Sequence, residues 1–220
     1  MRGKTAVGVT FVVVGAGLVA WAGNAYARGW LAQDRARSEW EQQVARSEVE
    51  RGRALAIGSA LADVAAEGTP VARLVIPKIS LDDIVLEGVT PVALNGGPGH
   101  LPGSALPGRE GNSVISAHRD RHFRRLGELA IGDIISTQTL SDSVSWRVVS
   151  RRVVNREAPA IHLEAGEVLT LTTCWPIGYL GGAPDRLIIR AVPVTTGAAA
   201  ANPRPGRELA IATNASVSPR

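Results

Sequence analysis

The pattern of polar and apolar positions divides the chain into distinct textures. From Thr5 to Ala27 no position is charged and Val, Ala and Gly dominate. A helix over this stretch covers about 34 Å, enough for the hydrocarbon core of a bilayer. From Arg28 to Glu67 charges are mixed, with Arg35, Arg37, Glu39 and Glu41 among alanines and glutamines and no proline. That pattern predicts a largely helical, solvated spacer without a packing partner, holding the rest of the chain away from the lipid. Beyond Thr69 come short apolar runs broken by Gly, Pro, Asn and Asp: Leu74 to Ile79, Ile84 to Leu86, Ser113 to Ala117, Ile131 to Thr137, Ser145 to Val154, Val168 to Thr173 and Leu187 to Val192. Such runs predict a mainly β domain, a closed barrel or sandwich. Between them Arg121 to Leu129 reads as a short helix and Pro159 to Leu163 as a helical turn. After Val194 the Ala-, Pro-, Asn- and Ser-rich sequence predicts a disordered tail. The expected organisation is a cytoplasmic stub and transmembrane anchor (1–27), a helical spacer (28–68), a β domain (69–194) and a tail (195–220).

Charge orients this plan. Arg2 and Lys4 precede the apolar stretch, and the positive-inside rule keeps them in the cytoplasm, placing everything after Arg28 outside. Trp21, Tyr26 and Trp30 then fall at the far interface. Ala25-Tyr26-Ala27 also has the small-x-small form of a signal-peptidase site, an alternative that still exports the remainder. The net charge of +4 is spread among acids rather than clustered, which argues against nucleic acid as a partner. Only 4% of residues are aromatic, so the core must come from Val, Ile, Leu and Ala.

The single cysteine excludes an intrachain disulfide and a Cys-rich zinc site. In Leu169-Thr170-Leu171-Thr172-Thr173-Cys174 the strand period puts the leucines on one face and Thr170, Thr172 and Cys174 on the other. Trp175-Pro176 ends the strand, so the thiol sits beside a loop, where reactive groups are commonly placed. The loop returns at Asp185-Arg186, and Arg186 faces the same cleft at the start of the next run. There its permanent charge suits a developing oxyanion. A cysteine nucleophile needs a proton partner. His118 directly follows the Ser113 to Ala117 run, whereas His100 lies in a Gly/Pro loop, His122 begins the Arg-rich helix and His162 sits in a connecting turn. His118 and His122, four apart, could chelate a metal only if helical, and no other ligand cluster supports them. No metal or organic cofactor is required.

At these residues the chain resembles the sortase family, most closely its class D branch. The resemblance is carried by LVIPKI at 74 to 79, ISAHRD at 115 to 120 within Gly99 to Asp120, Gly132-Asp133, TLTTC at 170 to 174, and TCWPIGYLGGAPDR at 173 to 186. It covers roughly 70 to 194 in the correct order. Ala117 stands where many relatives have glycine, and Ile177 where an aromatic is common. The resemblance implies an eight-stranded β-barrel with an outer groove and one or two short helices. By it Cys174 is the nucleophile, His118 the proton carrier and Arg186 the oxyanion stabiliser, with Ala117, Thr173 and Trp175 at the substrate. The implied activity cleaves an LPXT-type sorting signal after its threonine and passes the acyl group to an amine of peptidoglycan or protein. The other reading is a membrane-tethered β domain used for binding, in which Cys174 is inert. L,D-transpeptidases, with a Ser-x-Gly-Cys motif, and papain-like enzymes, whose histidine follows the cysteine, do not match the motif order.

Overall fold

Each apolar run becomes a strand in the computed structural model, which describes residues 2–54, 65–157, 166–179 and 181–194. They are β1 (Pro70–Ile76), β2 (Leu81–Glu87), β4 (Gly111–Ser116), β5 (Ile134–Gln138), β6 (Ser143–Asn155), β7 (Glu167–Trp175) and β8 (Asp185–Pro193), and a two-residue strand, β3 (Gly99–His100), makes the eighth. The strands close in the order β1-β2-β3-β4-β7-β8-β6-β5. A closed ring leaves no unpaired rim around most of the sheet. The choice between barrel and sandwich is thereby settled as a barrel.

The core comprises the inward positions of these strands. Leu74, Ile76, Ile115, Ile135, Trp146, Leu169, Leu171, Leu187 and Ile189 are fully buried. Trp146 donates its indole N–H to Thr137 Oγ1 at 2.7 Å, which satisfies the one polar atom of that side chain inside the core. The Arg121 to Leu129 segment is not a helix. It forms successive turns ending in a 3₁₀ turn at Leu126–Glu128. The reason is visible in the spacing of Phe123, Leu126 and Leu129, all buried. A repeat of three aligns on one side of a 3.0-residue turn, and tight turns plug the barrel where an α-helix would rotate the third residue away.

β3 reads in sequence only as a Gly/Pro loop, yet it joins β2 to β4, pairing Glu87 with His100 and His100 with Ile115. A side chain at Gly99 would collide with the Gly88 carbonyl, so only glycine admits this approach. His100 is buried, with Nδ1 2.8 Å from Glu87 Oε2 and Nε2 3.0 Å from both Ser104 Oγ and the Ala105 carbonyl. The Ser-His-Glu order resembles a hydrolytic triad. Ser104 Oγ, however, already donates to the Leu101 carbonyl at 2.7 Å and accepts from Val114 N–H at 3.2 Å, so the group braces β2, β3 and β4.

A single helix, α1 (Arg2–Ala54), runs through the apolar stretch and into the expected spacer, of which 55–64 lie outside the described residues. The spacer is not solvated and partnerless as its charges suggested. Ala36 and Trp40 are buried against Ile84 and Leu86 of β2. Gln33 donates to the carbonyls of Ile84 at 2.9 Å and Gly96 at 3.0 Å and accepts from Ile84 N–H at 3.0 Å, while Arg37 donates to the Asp82 carbonyl at 2.6 Å. The polar residues that looked like a solvated face are thus spent on the β2 backbone, where two-residue β3 does not reach. A short helix, α2 (Pro91–Gly96), follows β2, begun by Thr90, whose hydroxyl accepts from Ala93 N–H, and by Pro91 at the first helical position. Among the described residues no helix is long and apolar enough to cross a membrane. The expected span at 5–27 falls partly outside them, since the side chains of 5–12, 25 and 26 are not described. The Pro159 to Leu163 turn with His162, and the tail from 195, also lie outside the described residues.

Candidate active site

Two strand ends carry the predicted residues to one rim of the barrel. β4 and β7 run parallel, pairing Ser113 with Leu169 through to Ser116 with Thr172. Past the last pair, Ala117 N–H still donates to the Thr172 carbonyl at 3.3 Å. Thr173 Oγ1 donates to the Ala117 carbonyl at 2.7 Å. Two positions beyond that last pair lie His118 on one strand and Cys174 on the other. β8 returns antiparallel, and Cys174 stands directly opposite Arg186. Residues opposed in this way project from the same face with Cβ atoms about 5 Å apart. The arrangement brings together the three residues singled out from sequence.

Burial explains why Cys174 is the accessible group. β7 is buried on both faces from Val168 to Thr173, and Cys174 is its first exposed residue. Arg186 is exposed and His118 half-buried. Burial is the main reason the His118 imidazole is held below its ordinary pKa; Arg121 and His122 push the same way and Asp120 opposes them. Neutral imidazole is therefore the favoured form near neutral pH, which suits a proton acceptor. His122 does not join it. Its Nδ1 lies 2.8 Å from Asp83 Oδ2, and among the described residues no three His, Cys, Asp or Glu side chains converge as a metal site would require.

Of the residues expected at the substrate, Thr173 and Ala117 are buried and hold one another, tying the His118 strand to the Cys174 strand. Trp175 is half-buried between two partners. Its ring edge lies where a side chain on Gly127 would stand, 2.9 Å away, and the Arg151 guanidinium of β6 sits 5.4 Å from a ring centroid. The residue after Cys174 is thus held by Gly127 and Arg151, neither singled out from sequence. Arg119 is a further addition. Its guanidinium donates to the carbonyls of Tyr179 at 2.8 Å and Gly181 at 2.6 Å, fastening the β7–β8 loop beside His118. Its position next to His118 in ISAHRD was the available signal; for Gly127, inside a segment read as helical, there was none.

A barrel of this strand order, with cysteine, histidine and arginine at one rim, defines a class of protein. The sortase domain model matches residues 74–194. The chain belongs to the sortase family. Over 124 residues it is 37% identical to sortase D of Bacillus subtilis (strain 168), covering 56% of this chain and 63% of that protein. It thus spans just under two thirds of that curated relative's length. Its fold is similar to that of a sortase D5 transpeptidase from Clostridium perfringens, with a TM-score of 0.63 and 24% identity over 74% of this chain and 98% of that one. It is also similar to sortase C1 from Streptococcus agalactiae, with a TM-score of 0.54 and 24% identity over 74% and 95% of the two chains.

Proposed function

We propose that this chain is a membrane-anchored cysteine transpeptidase that cuts an LPXT-type sorting signal after its threonine and transfers the acyl group to an amine at the cell surface. The observation that carries this reading is the exposed Cys174 at a strand end, register-paired with Arg186 and level with His118 on the parallel neighbour. Cys174 Sγ attacks the threonine carbonyl carbon while His118, kept neutral by its surroundings, takes the thiol proton. Charge builds on the carbonyl oxygen, where the Arg186 guanidinium stabilises it. The C–N bond breaks, the His118 proton leaves with the departing amine, and a thioacyl-enzyme remains. An incoming amine then attacks the thioester, gives its proton to His118 and releases the thiolate, which recovers that proton. Water in place of the amine gives hydrolysis.

The anchor is the uncharged stretch at 5–27, oriented by Arg2 and Lys4 so that the barrel lies outside the cytoplasmic membrane. Ala117 and Thr173 serve the groove by fixing its two walls, and Trp175 lines its end.

The test is mass spectrometry of the detergent-solubilised full chain with LPXTG and LPXTA peptides and an amine acceptor, beside Cys174→Ala and Arg186→Ala. The expected result is an amine adduct at threonine and a thioacyl mass on the wild-type chain. Cys174→Ala gives neither, and Arg186→Ala lowers turnover by about 10²–10³. A folded chain that cleaves neither peptide and whose Cys174 resists a thiol reagent would instead support the binding-domain reading.

A further inference from the structure

We propose that the chain has no spacer and that its barrel rests on the membrane surface through α2, with a lipid interface as the partner. The inference depends on the anchor reading above. Because α1 is one helix from Arg2 to Ala54, residue number measures distance along its axis at about 1.5 Å per position. The uncharged stretch ends at Ala27. Contact with the barrel side begins at Gly29, where an added Cβ would stand 3.1 Å from both the Arg121 guanidinium and the Asn95 carbonyl. Two positions amount to about 3 Å, so nothing separates span from domain.

The barrel reaches back further still. Val92 and Asn95 of α2 line one cleft with Trp21 and Arg28 of α1. Trp21 lies six positions inside the end of the span, about 9 Å towards the bilayer. Two bulky apolar side chains of this cleft are bare, Val92 at 82% exposed and Trp21 at 72%, and on the other side of α1, about 13 Å further along it, Trp30 is 72% exposed in a cleft it shares with Arg124 and Arg125 and with Asp82, Asp83 and Asp120. Arg28 and Arg121 border the cleft of Val92 and Trp21. Indoles and aliphatic groups with guanidiniums beside them match the headgroup layer, which takes up apolar bodies and leaves cationic tips wet. In water these bare apolar groups would stay hydrated, and a headgroup layer covers them. Continuity with the span selects lipid as their cover. His118 is three positions before Arg121, so the groove is carried close to the bilayer rather than at the end of a stalk.

Leu140 provides the internal reference. It lines a cleft with Val44 and Glu48, and Val44 is about 22 Å further along α1 than Gly29. The full chain carrying Cys174→Ala is given a single new thiol by Val92→Cys or by Leu140→Cys, both at exposed positions, and labelled with a fluorophore. It is then reconstituted in vesicles of phosphatidylcholine and phosphatidylglycerol with a headgroup-nitroxide lipid. The expected result is several-fold stronger quenching at position 92 than at 140. Equal, weak quenching at both positions in a chain that resists carbonate extraction overturns this inference and leaves the anchor standing. A position-92 probe shielded from aqueous iodide yet unquenched by the nitroxide lipid means a second copy covers the face, and also overturns it. Release of the chain by carbonate removes the anchor reading and this inference together.

Discussion

Lowering the pKa of His118 has opposite consequences for storing a proton and for accepting one. It leaves less imidazolium and more neutral imidazole at any given pH, the form that the proposed mechanism uses as base. Stability responds too. As pH falls below about 6.5 the unfolded chain takes up a proton at this position before the folded one does. The contribution of His118 is therefore fully present above that pH and is lost as pH drops towards the folded value. The urea midpoint should fall more between pH 7.5 and pH 5.5 for the wild type than for His118→Asn. Equal falls would show that burial leaves this imidazole untouched. Sequence supplied the residue but not its environment, because Arg121 and His122 approach through turns where a helix was expected. The strand period likewise placed Cys174 correctly, yet Thr170 and Thr172 on its face are buried too, which alternation alone does not reveal.

Among the elements, the β7–β8 loop shows what a motif leaves open about the candidate groove. Its turn residues announced a loop, and nothing in its composition says what holds it. Arg119 does, by two hydrogen bonds to carbonyls near its tip. Arg119→Ala should raise KM for the sorting peptide several-fold while kcat falls less, and Arg119→Lys, which keeps the charge but loses the planar fork, should recover little. A uniform loss of kcat with unchanged KM would place the effect on His118 itself. Strands were readable because each carries its own apolar run. β3 was not, having two residues and no run, and α2 was signalled only by Thr90-Pro91, a cap and first-turn pair easily read as a turn.

At the scale of the molecule, the sortase barrel and its site are legible in residues 70–194, whereas the role of α1 is not. Its mixed charges satisfy a solvated-helix pattern, and only the assembled structure shows Gln33 and Arg37 turned onto β2. In effect the Gln33 amide acts as a one-residue strand, offering the donor and acceptor that a neighbouring backbone would. A fragment beginning at residue 69, the natural choice from sequence, would strip that surrogate away together with the apolar cover of Ile84 and Leu86. It would leave an open seam in an otherwise closed ring, a template for edge-to-edge pairing with another molecule. Such a fragment should associate with increasing concentration in sedimentation velocity, whereas one beginning at Arg28 stays monomeric in mild detergent. Identical behaviour of the two would show that the ring is sealed without its helix.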